Sequence, residues 1–442
     1  MSSPAGATPV PPRLRVRTVA VPDPGPLVAL LPETDAVAWL RGGDGMVAFG
    51  EVVRHKAAGP GDAEEWWTGL VAESDVESDL DVTLPGSGLV AFGSFVFDPD
   101  NTAASSGMVV PRTVLGRRGG RAWLTQIGLE ADEERPAPVA STPPVGPEGV
   151  RFEGGSLTPE QWRTAVSRAV HGIAGGLLDK VVLARDLVAV AQEDLDPRWL
   201  VGRLSETYPR CWTYLVDGLV GSTPEMLIRL EAGLATSRVL AGTIQRTGDG
   251  RTDLARADAL SRSSKDLEEH EYAVASVAAA LEPFCTALNV PEHPYVLELP
   301  NVLHLASDVT AAVAPGVTAL GLAAALHPSA AVCGTPTDSA RELIAGLEHL
   351  DRERYAGPVG WTDASGAGEW AIALRCGILD ETDPRRIRLF AGCGIVAGSD
   401  PEAEWAEAQS KLAPMISALV KPALAKPDLG RSASPTASPD PV

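Results

Sequence analysis

The sequence is short of basic residues and of cysteine, and it has no long apolar run. Its 37 Lys and Arg stand against 58 Asp and Glu, a formal charge of −21. This balance excludes nucleic acid and anionic membrane as main partners, because both require a basic surface. Five cysteines without Cys-x-x-Cys spacing indicate neither a disulfide framework nor a zinc site. Because membrane-length runs and a signal-peptide core are also missing, the sequence predicts a soluble cytoplasmic protein.

Proline-rich stretches mark both ends of the chain and one internal boundary. Residues 1–12 and 421–442 are rich in Pro, Ala and Ser, which predicts disorder. Residues 131–150 are polar and dense in proline, which predicts a linker. A length of 442 residues allows two or three domains or one large domain.

Periodicity and turn residues predict a chain of mixed strands and helices. Residues 27–53 and 88–110 contain short apolar runs broken by glycine, which predicts strands. Thr158-Pro-Glu-Gln161 has the hydroxyl cap, first-turn proline and glutamine of a helix start. Further strands are predicted at 180–185, 212–216, 226–230, 234–241, 355–361, 368–375 and 386–391, further helices at 261–281 and 339–350, and turns at 221–224 and 242–243.

Carboxylates recur at helical spacing in two segments. Glu404, Glu407 and Lys411 share one helical face, a pattern that is also typical of an ordinary solvated helix. Asp266 and Glu269 stand three apart on the helix predicted at 261–281. If the two acidic pairs faced each other, they would form an all-oxygen site for a hard divalent cation such as magnesium. Spacing alone does not bring them together.

Two glycines, a lysine and a histidine are further candidates. Gly392 and Gly394 let the backbone approach a ligand closely and leave amide groups for an anion. Lys180 shares a strand face with apolar side chains, where it could also reach solvent from the strand edge. His304 lies in an apolar run, and a lone histidine there is more often a hydrogen-bonded core residue than a catalyst.

Seven motifs, in order and spacing, resemble those of the chorismate-utilising enzymes, the family of isochorismate, salicylate, anthranilate and aminodeoxychorismate synthases. They are Lys-Val-Val-Leu-Ala-Arg (180–185), Ser-Thr-Pro-Glu (222–225), Leu-Ala-Gly-Thr (240–243), Ser-Lys-Asp-x-x-Glu-His (264–270), Val-Leu-His-Leu (302–305), Tyr-Ala-Gly-Pro-Val-Gly (355–360) and Ala-Gly-x-Gly-Ile-Val-x-Gly-Ser-Asp-Pro (391–401). The resemblance covers residues 150–417 strongly and the N-terminal third only in general character.

The resemblance implies the fold and the domain organisation. The family fold is α+β, with two large β-sheets packed face to face, helices outside and the active site between the sheets. The chain is then one domain over residues 13–420, with a divergent part at 13–150 and a motif-bearing catalytic part at 151–420. The proline-dense stretch at 131–150 becomes a surface connection within that domain.

The resemblance also implies a metal site and an acid/base pair. Magnesium would be held by Glu269 and Glu407, with Asp266 and Glu404 supporting it directly or through water. Lys180 is the residue of the members that add water, whereas members that add ammonia lack it. Burial favours a neutral amine, which can then take a proton from water. Glu225 would protonate the C4 hydroxyl of chorismate as it leaves while water attacks C2, which yields isochorismate.

The remaining site residues are implied to bind chorismate. The ring carboxylate would lie on magnesium with His304 nearby, and Gly242 and Thr243 would line the ring pocket. The enolpyruvyl carboxylate would be held by four groups: Tyr355, Arg375, the amides at Gly392 and Gly394, and Lys411. Such groups supply the local positive field that an acidic chain needs for an anionic substrate.

The choice among family members rests on few residues. Salicylate synthases share Lys180 and Glu225 and go on to eliminate pyruvate, so this pair does not separate them from isochorismate synthases. Asp266 and the segment at 332–337 resemble isochorismate synthases more closely, which favours isochorismate as the product, for menaquinone or siderophore synthesis. Lys180 disfavours an ammonia-using subunit, and the complete site disfavours a catalytically silent homologue. We expect a monomer without a glutaminase subunit.

Overall fold

The structure is a computed structural model that describes residues 12–80, 84–129 and 141–420. The predicted disordered ends, 1–12 and 421–442, lie outside these ranges except for residue 12. The first half of the predicted linker at 131–150 lies outside them too. Within the described ranges, no helix combines the length and apolar character needed to cross a bilayer.

The described residues form 21 β-strands and eight α-helices. The strands are β1 (Leu14–Val21), β2 (Val37–Arg41), β3 (Asp44–Ala57), β4 (Asp75–Ser78), β5 (Val90–Ser94), β6 (Ser106–Arg118), β7 (Arg121–Leu129), β8 (Arg151–Glu153), β9 (Lys180–Val190), β10 (Trp212–Val216), β11 (Leu219–Thr223), β12 (Met226–Glu231), β13 (Leu234–Gln245), β14 (Cys285–Asn289), β15 (Tyr295–Glu298), β16 (Val302–Val313), β17 (Gly334–Thr335), β18 (Pro358–Asp363), β19 (Gly368–Ile372), β20 (Cys376–Leu379) and β21 (Arg386–Ile395). The helices are α1 (Pro60–Ala72), α2 (Pro159–Ala174), α3 (Pro197–Thr207), α4 (Gly250–Ser261), α5 (Ser264–Leu281), α6 (Ala319–Leu326), α7 (Thr337–Leu347) and α8 (Pro401–Leu419).

The long strand β6 joins two sheets. One of its edges pairs with β3, and the other pairs with β5 through its first half and with β7 through its second half. The first sheet runs β4-β1-β7-β6-β3-β2-β10-β11-β20-β21-β9, with β8 and β17 on the far edge of β9. The second runs β6-β5-β18-β19-β12-β13-β16, with β14 and β15 beyond. Every described pair is antiparallel except β1 with β4.

The core lies between the two sheets. Trp39 and Tyr214 from the first sheet and Trp370 from the second belong to one buried apolar cluster. The indole of Trp39 donates to the Glu369 carboxylate across the interface at 2.7 Å. A second buried cluster lies beneath α3 and α8. The predicted α+β fold of large packed sheets with outer helices is confirmed.

Strands on both sides of the proline-dense stretch share these sheets. β2 pairs with β10 and β5 pairs with β18, although residues 131–150 separate the members of each pair. This exchange supports our proposal that residues 13–420 are one domain, with 131–150 as a connection inside it.

Most local predictions are confirmed, but two predicted turns are wrong. Thr158 accepts a bond from the Gln161 amide at 3.2 Å while Gln161 accepts from the Thr158 amide at 2.9 Å, which is the predicted start of α2. In contrast, Gly221 lies inside β11, where it makes room for Tyr214 between two neighbouring strands. Gly242 lies at a bulge within β13, where the register to β16 shifts. Tertiary pairing overrides the local turn composition at both places.

Candidate functional site

A cavity lies where β9, β13, β16 and β21 meet. Ten of the predicted site residues line it: Glu225, Gly242, Thr243, Glu269, His304, Tyr355, Arg375, Gly392, Gly394 and Lys411. The other four adjoin this wall: Lys180 and Glu407 each pair with a lining residue, Asp266 lies beside Gly242, and the Glu404 carbonyl accepts from Cys393 Sγ.

Lys180 is the first residue of β9, and its side chain is fully buried. Its Nζ lies 3.5 Å from Glu269 Oε1 and makes no hydrogen bond within the described residues. A buried amino group without hydrogen-bond partners is costly, so this placement indicates function rather than stability. A Cβ at Gly394 would lie 2.0 Å from Glu269 Oε1 and 3.1 Å from Lys180 Cε. Glycine at 394 therefore leaves the space in which these two charged groups meet.

Glu225 follows β11 and is 4% exposed. Burial raises the pKa of this carboxyl group to about 8, even though nearby cations oppose the shift. Those cations are Lys180, Lys411 and Arg375. Glu225 therefore holds a proton at neutral pH, which is the state required of a general acid.

His304 is buried, as expected for a lone histidine in an apolar run, but its ring also lines the cavity. Its Nε2 lies 2.9 Å from Arg375 Nη2 and must accept, because a guanidinium can only donate. Nδ1 then carries the proton and donates to Thr243 Oγ1 at 3.0 Å. Burial and then Arg375 hold the pKa of His304 well below its ordinary value, so the ring is neutral.

Arg375 presents an unused donor to the cavity. Its backbone has the left-handed φ of 50°, and its Nη1 has no hydrogen-bond partner within the described residues. Burial lowers the pKa of this guanidinium. The ring of Tyr355 lies parallel to that of Phe390, with centroids 5.3 Å apart. An unpaired guanidinium beside an aromatic wall suits an organic carboxylate.

Gly392 and Lys411 form another part of the wall. Gly392 pairs with Ala184, but the Ala184 amide donates to Glu348 and the Gly392 carbonyl accepts from Lys411 Nζ at 3.0 Å. The two residues thus direct their peptide groups away from each other, as in a non-hydrogen-bonded antiparallel pair. The Gly392 N–H therefore points away from β9. Lys411 also donates to Glu407 at 2.6 Å.

Three lysines pair with the acidic residues on α5 and α8. Besides the two pairs above, Lys265 Nζ lies 2.5 Å from Glu404 Oε1, where it joins the two helices. Glu404 is 1% exposed, so the alternative of a solvated helix face is wrong for α8. Within residues 12–80, 84–129 and 141–420, no three His, Cys, Asp or Glu side chains are gathered as metal ligands. The structure therefore brings the acidic pairs near each other without closing them into a ligand set.

The residues present nevertheless fit a hard divalent cation. All donors are carboxylates. The pKa of Asp266 is raised mainly by burial and further by the nearby charges of Glu269 and Glu407. The pKa of Glu404 is raised mainly by burial and further by the charge of Glu407. These shifts show that the negative charges repel one another. At Gly242, φ is 79° and an added Cβ would lie 2.9 Å from the Asp266 Cβ, so this glycine also makes room for a carboxylate.

Arg352 and Glu348 are site residues that the sequence patterns did not reveal. Arg352 lines the cavity, and Glu348 is buried behind it. Their spacing of four residues is also that of an ordinary surface ion pair on a helix. Only the tertiary fold shows that both are buried.

The sheets and this cavity define a chorismate-binding enzyme, and the chain belongs to that family: residues 39–420 match the family described as "Chorismate binding enzyme". It is 40% identical over 273 residues to isochorismate synthase DhbC of Bacillus subtilis, covering 59% of this chain and 68% of that protein. It is 36% identical over 360 residues to a putative isochorismate synthase MenF of Mycobacterium tuberculosis, covering 78% and 90%. The solved structure of MenF, the menaquinone-specific isochorismate synthase from Escherichia coli, matches with a TM-score of 0.77 and 25% identity, covering 94% of this chain and 97% of that one.

Proposed function

We propose that this chain is a magnesium-dependent isochorismate synthase, an isomerase that converts chorismate to isochorismate. The observation that carries the proposal is a cavity that the buried Glu225 lines and that Lys180, buried and without a hydrogen bond within the described residues, adjoins through Glu269. The relatives above are named for the same activity.

In this mechanism Glu225 is the general acid and Lys180 the general base. Glu225 donates its proton to the C4 oxygen as the C4–O bond breaks and water leaves. A second water attacks C2 and gives its proton to Lys180, and the ring double bonds shift, so the formula is unchanged. This displacement needs the acid neutral and the base free of its proton. The neutral His304 adds no positive charge of its own beside Arg375.

Arg375 positions the substrate. Its free Nη1 would donate to the enolpyruvyl carboxylate, with Tyr355 and the amides at Gly392 and Gly394 closing around the same group. Lys411 would add positive charge from beside Gly392. Such fixed donors hold the reacting carbons near the acid and base without reorganisation during the reaction.

Four carboxylates would hold magnesium: Glu269 and Glu407 directly, and Asp266 and Glu404 directly or through water. The bound cation would supply charge neutralisation for the ring carboxylate. His304 and Thr243 would lie beside that carboxylate and orient it. Binding of the cation would also offset the mutual repulsion of the acidic groups.

The relatives suggest two destinations for the product. Names among them include a menaquinone-specific enzyme and a vibriobactin-specific enzyme, so we propose menaquinone or siderophore supply. We also propose a monomer that acts in the cytoplasm without a glutaminase subunit. All five cysteines are free, which supports a reducing compartment.

Product identification tests the proposal. Purified protein with chorismate and Mg²⁺ should give isochorismate, measured by chromatography, without salicylate fluorescence. Prompt salicylate together with pyruvate would instead identify a salicylate synthase, which shares the same acid/base pair. Chorismate left unconsumed would identify a silent homologue.

A further inference from the structure

The catalytic strand β9 lacks a continuous strand partner on one of its edges. Along one edge, β21 pairs with it from Val181 to Val190. Along the other edge, β17 covers only its first two residues and β8 its last three. The backbone groups between them must be satisfied in another way, because buried unpaired amides and carbonyls are costly.

A buried ion pair occupies that gap. Glu348 Oε1 accepts from the Ala184 amide at 2.7 Å, and Arg352 Nη2 donates to the Val182 carbonyl at 2.8 Å. The pair is bidentate, with Arg352 Nε and Nη2 donating to the two oxygens of Glu348 at 2.9 and 2.5 Å. Its side chains are 2% and 3% exposed. Together with the Trp162 indole, which donates to the Ala184 carbonyl at 3.1 Å, these two side chains act as a substitute strand beside Lys180.

Arg352 also ties β9 to two other parts of the cavity wall, one through its guanidinium and one through its backbone. Arg352 Nη1 donates to the carbonyl of Val332, which lines the cavity. The Arg352 carbonyl accepts from the amide of Tyr355 at 2.9 Å, at the start of the segment that carries this aromatic side chain. Every nitrogen of the Arg352 guanidinium therefore has a partner in the protein, and four of its five N–H groups are used in these bonds.

We infer that Glu348 and Arg352 are positioning residues that set the place of Lys180 relative to the cavity; the inference rests on the function proposed above. The Lys180 amino group makes no hydrogen bond of its own within the described chain, so it is placed by its backbone, by packing and by the nearby Glu269 carboxylate. The pair holds that backbone at the second and fourth residues after Lys180. A planar fork is needed for this task, because a lysine cannot bond a carbonyl and a carboxylate in the same geometry.

Two variants test the inference. Arg352→Lys keeps the charge and loses the fork, and Glu348→Gln keeps the shape and weakens the pair. We expect kcat to fall about 100-fold for the first and about tenfold for the second, as for a catalytic group displaced by up to about 1 Å. The KM for chorismate should stay within about threefold, because neither side chain is proposed to bind it. If Arg352→Lys does not fold, Glu348→Gln decides.

The control is Arg238→Lys. Arg238 also makes a two-point ion pair, with Asp308 at 2.7 and 2.9 Å, and it does not line the cavity. The kcat of Arg238→Lys should stay within about twofold of the parent value. The control thereby separates the effect of losing any bidentate ion pair from the effect of losing the Glu348–Arg352 pair. Parent-like kcat in both test variants would overturn the inference. A raised KM with unchanged kcat would also overturn it, because Arg352 would then be a substrate-binding residue.

Hydrogen exchange gives a readout that does not depend on catalysis. In Arg352→Lys and Glu348→Gln, peptides covering 180–185 should exchange faster, whereas those covering α3 should not. Unchanged exchange in 180–185 would contradict the inference even if activity fell. If the parent protein does not consume chorismate, the proposed function fails, and the exchange result still decides whether the pair holds β9.

Discussion

Replacing Gly394 by alanine adds one methyl group and should strongly lower the rate of isochorismate formation. The new Cβ would lie 2.0 Å from Glu269 Oε1 and 2.7 Å from its Cδ, whereas an ordinary contact begins near 3.4 Å. The carboxylate must therefore retreat by about 1.4 Å, the difference between these distances. Because Lys180 Cε lies 3.1 Å from the same Cβ, the lysine would be displaced as well.

A displacement of this size in a catalytic group typically costs about 100-fold in rate. That loss corresponds to about 2.7 kcal/mol of transition-state stabilisation. We expect kcat for isochorismate formation to fall by this factor, with a higher Mg²⁺ concentration needed for half-maximal rate because Glu269 is a proposed ligand. Steady-state rates by chromatography across a Mg²⁺ titration measure both effects.

Gly398→Ala is the matched control. Gly398 lies shortly after Gly394, between the end of β21 and the start of α8, but an added Cβ there meets nothing within 4 Å. Its kcat and Mg²⁺ dependence should equal those of the parent. If Gly394→Ala folds and retains both parameters, then the close approach of Glu269 and Lys180 at this glycine has no catalytic role, and the proposed base and metal ligand need reassignment.

Three further predictions concern the acid, the base and the metal. Lys180→Gln should leave about 1% of the parent kcat or less while near-UV circular dichroism is unchanged, and turnover near the parent's would exclude it as the base. Because burial raises the pKa of Glu225 to about 8, its acid form is lost as pH rises through that value. The kcat/KM should then fall about tenfold per pH unit at higher pH; a flat alkaline limb refutes the acid assignment. EDTA should stop turnover and excess Mg²⁺ restore it, so full activity in chelator excludes the metal site.

Local sequence signals predicted the elements whose stability is local. The start of α2 at Thr158 depends on side chains within four residues of one another, so its capping box is visible in the sequence. Gly221 shows the opposite case. Its neighbours Ser, Thr and Pro are typical of a turn, but pairing with Tyr214 on one side and with the distant Cys376 on the other places it in a strand. Long-range strand pairing is not encoded in a short window.

For the site, the motifs predicted which residues would meet, and the fold shows how they are held. Ten of the predicted residues line one cavity, yet their catalytic and binding roles stay predictions. The spacing of Glu404 and Glu407 could not show burial, because an exposed helix face has the same period. The role of Lys265 as a link between α5 and α8 also depends on the packing of two helices far apart in sequence.

Because β6 joins the two sheets, the N-terminal strands cannot be removed without disrupting the rest of the protein. A fragment starting after residue 150 would keep every proposed site residue, but β10 and β18 would lose their partners β2 and β5. Unpaired inner strands with apolar faces recruit other chains, so such a fragment should aggregate rather than form a minimal enzyme. The N-terminal third contains no proposed site residue, but its strands are indispensable to the catalytic two thirds.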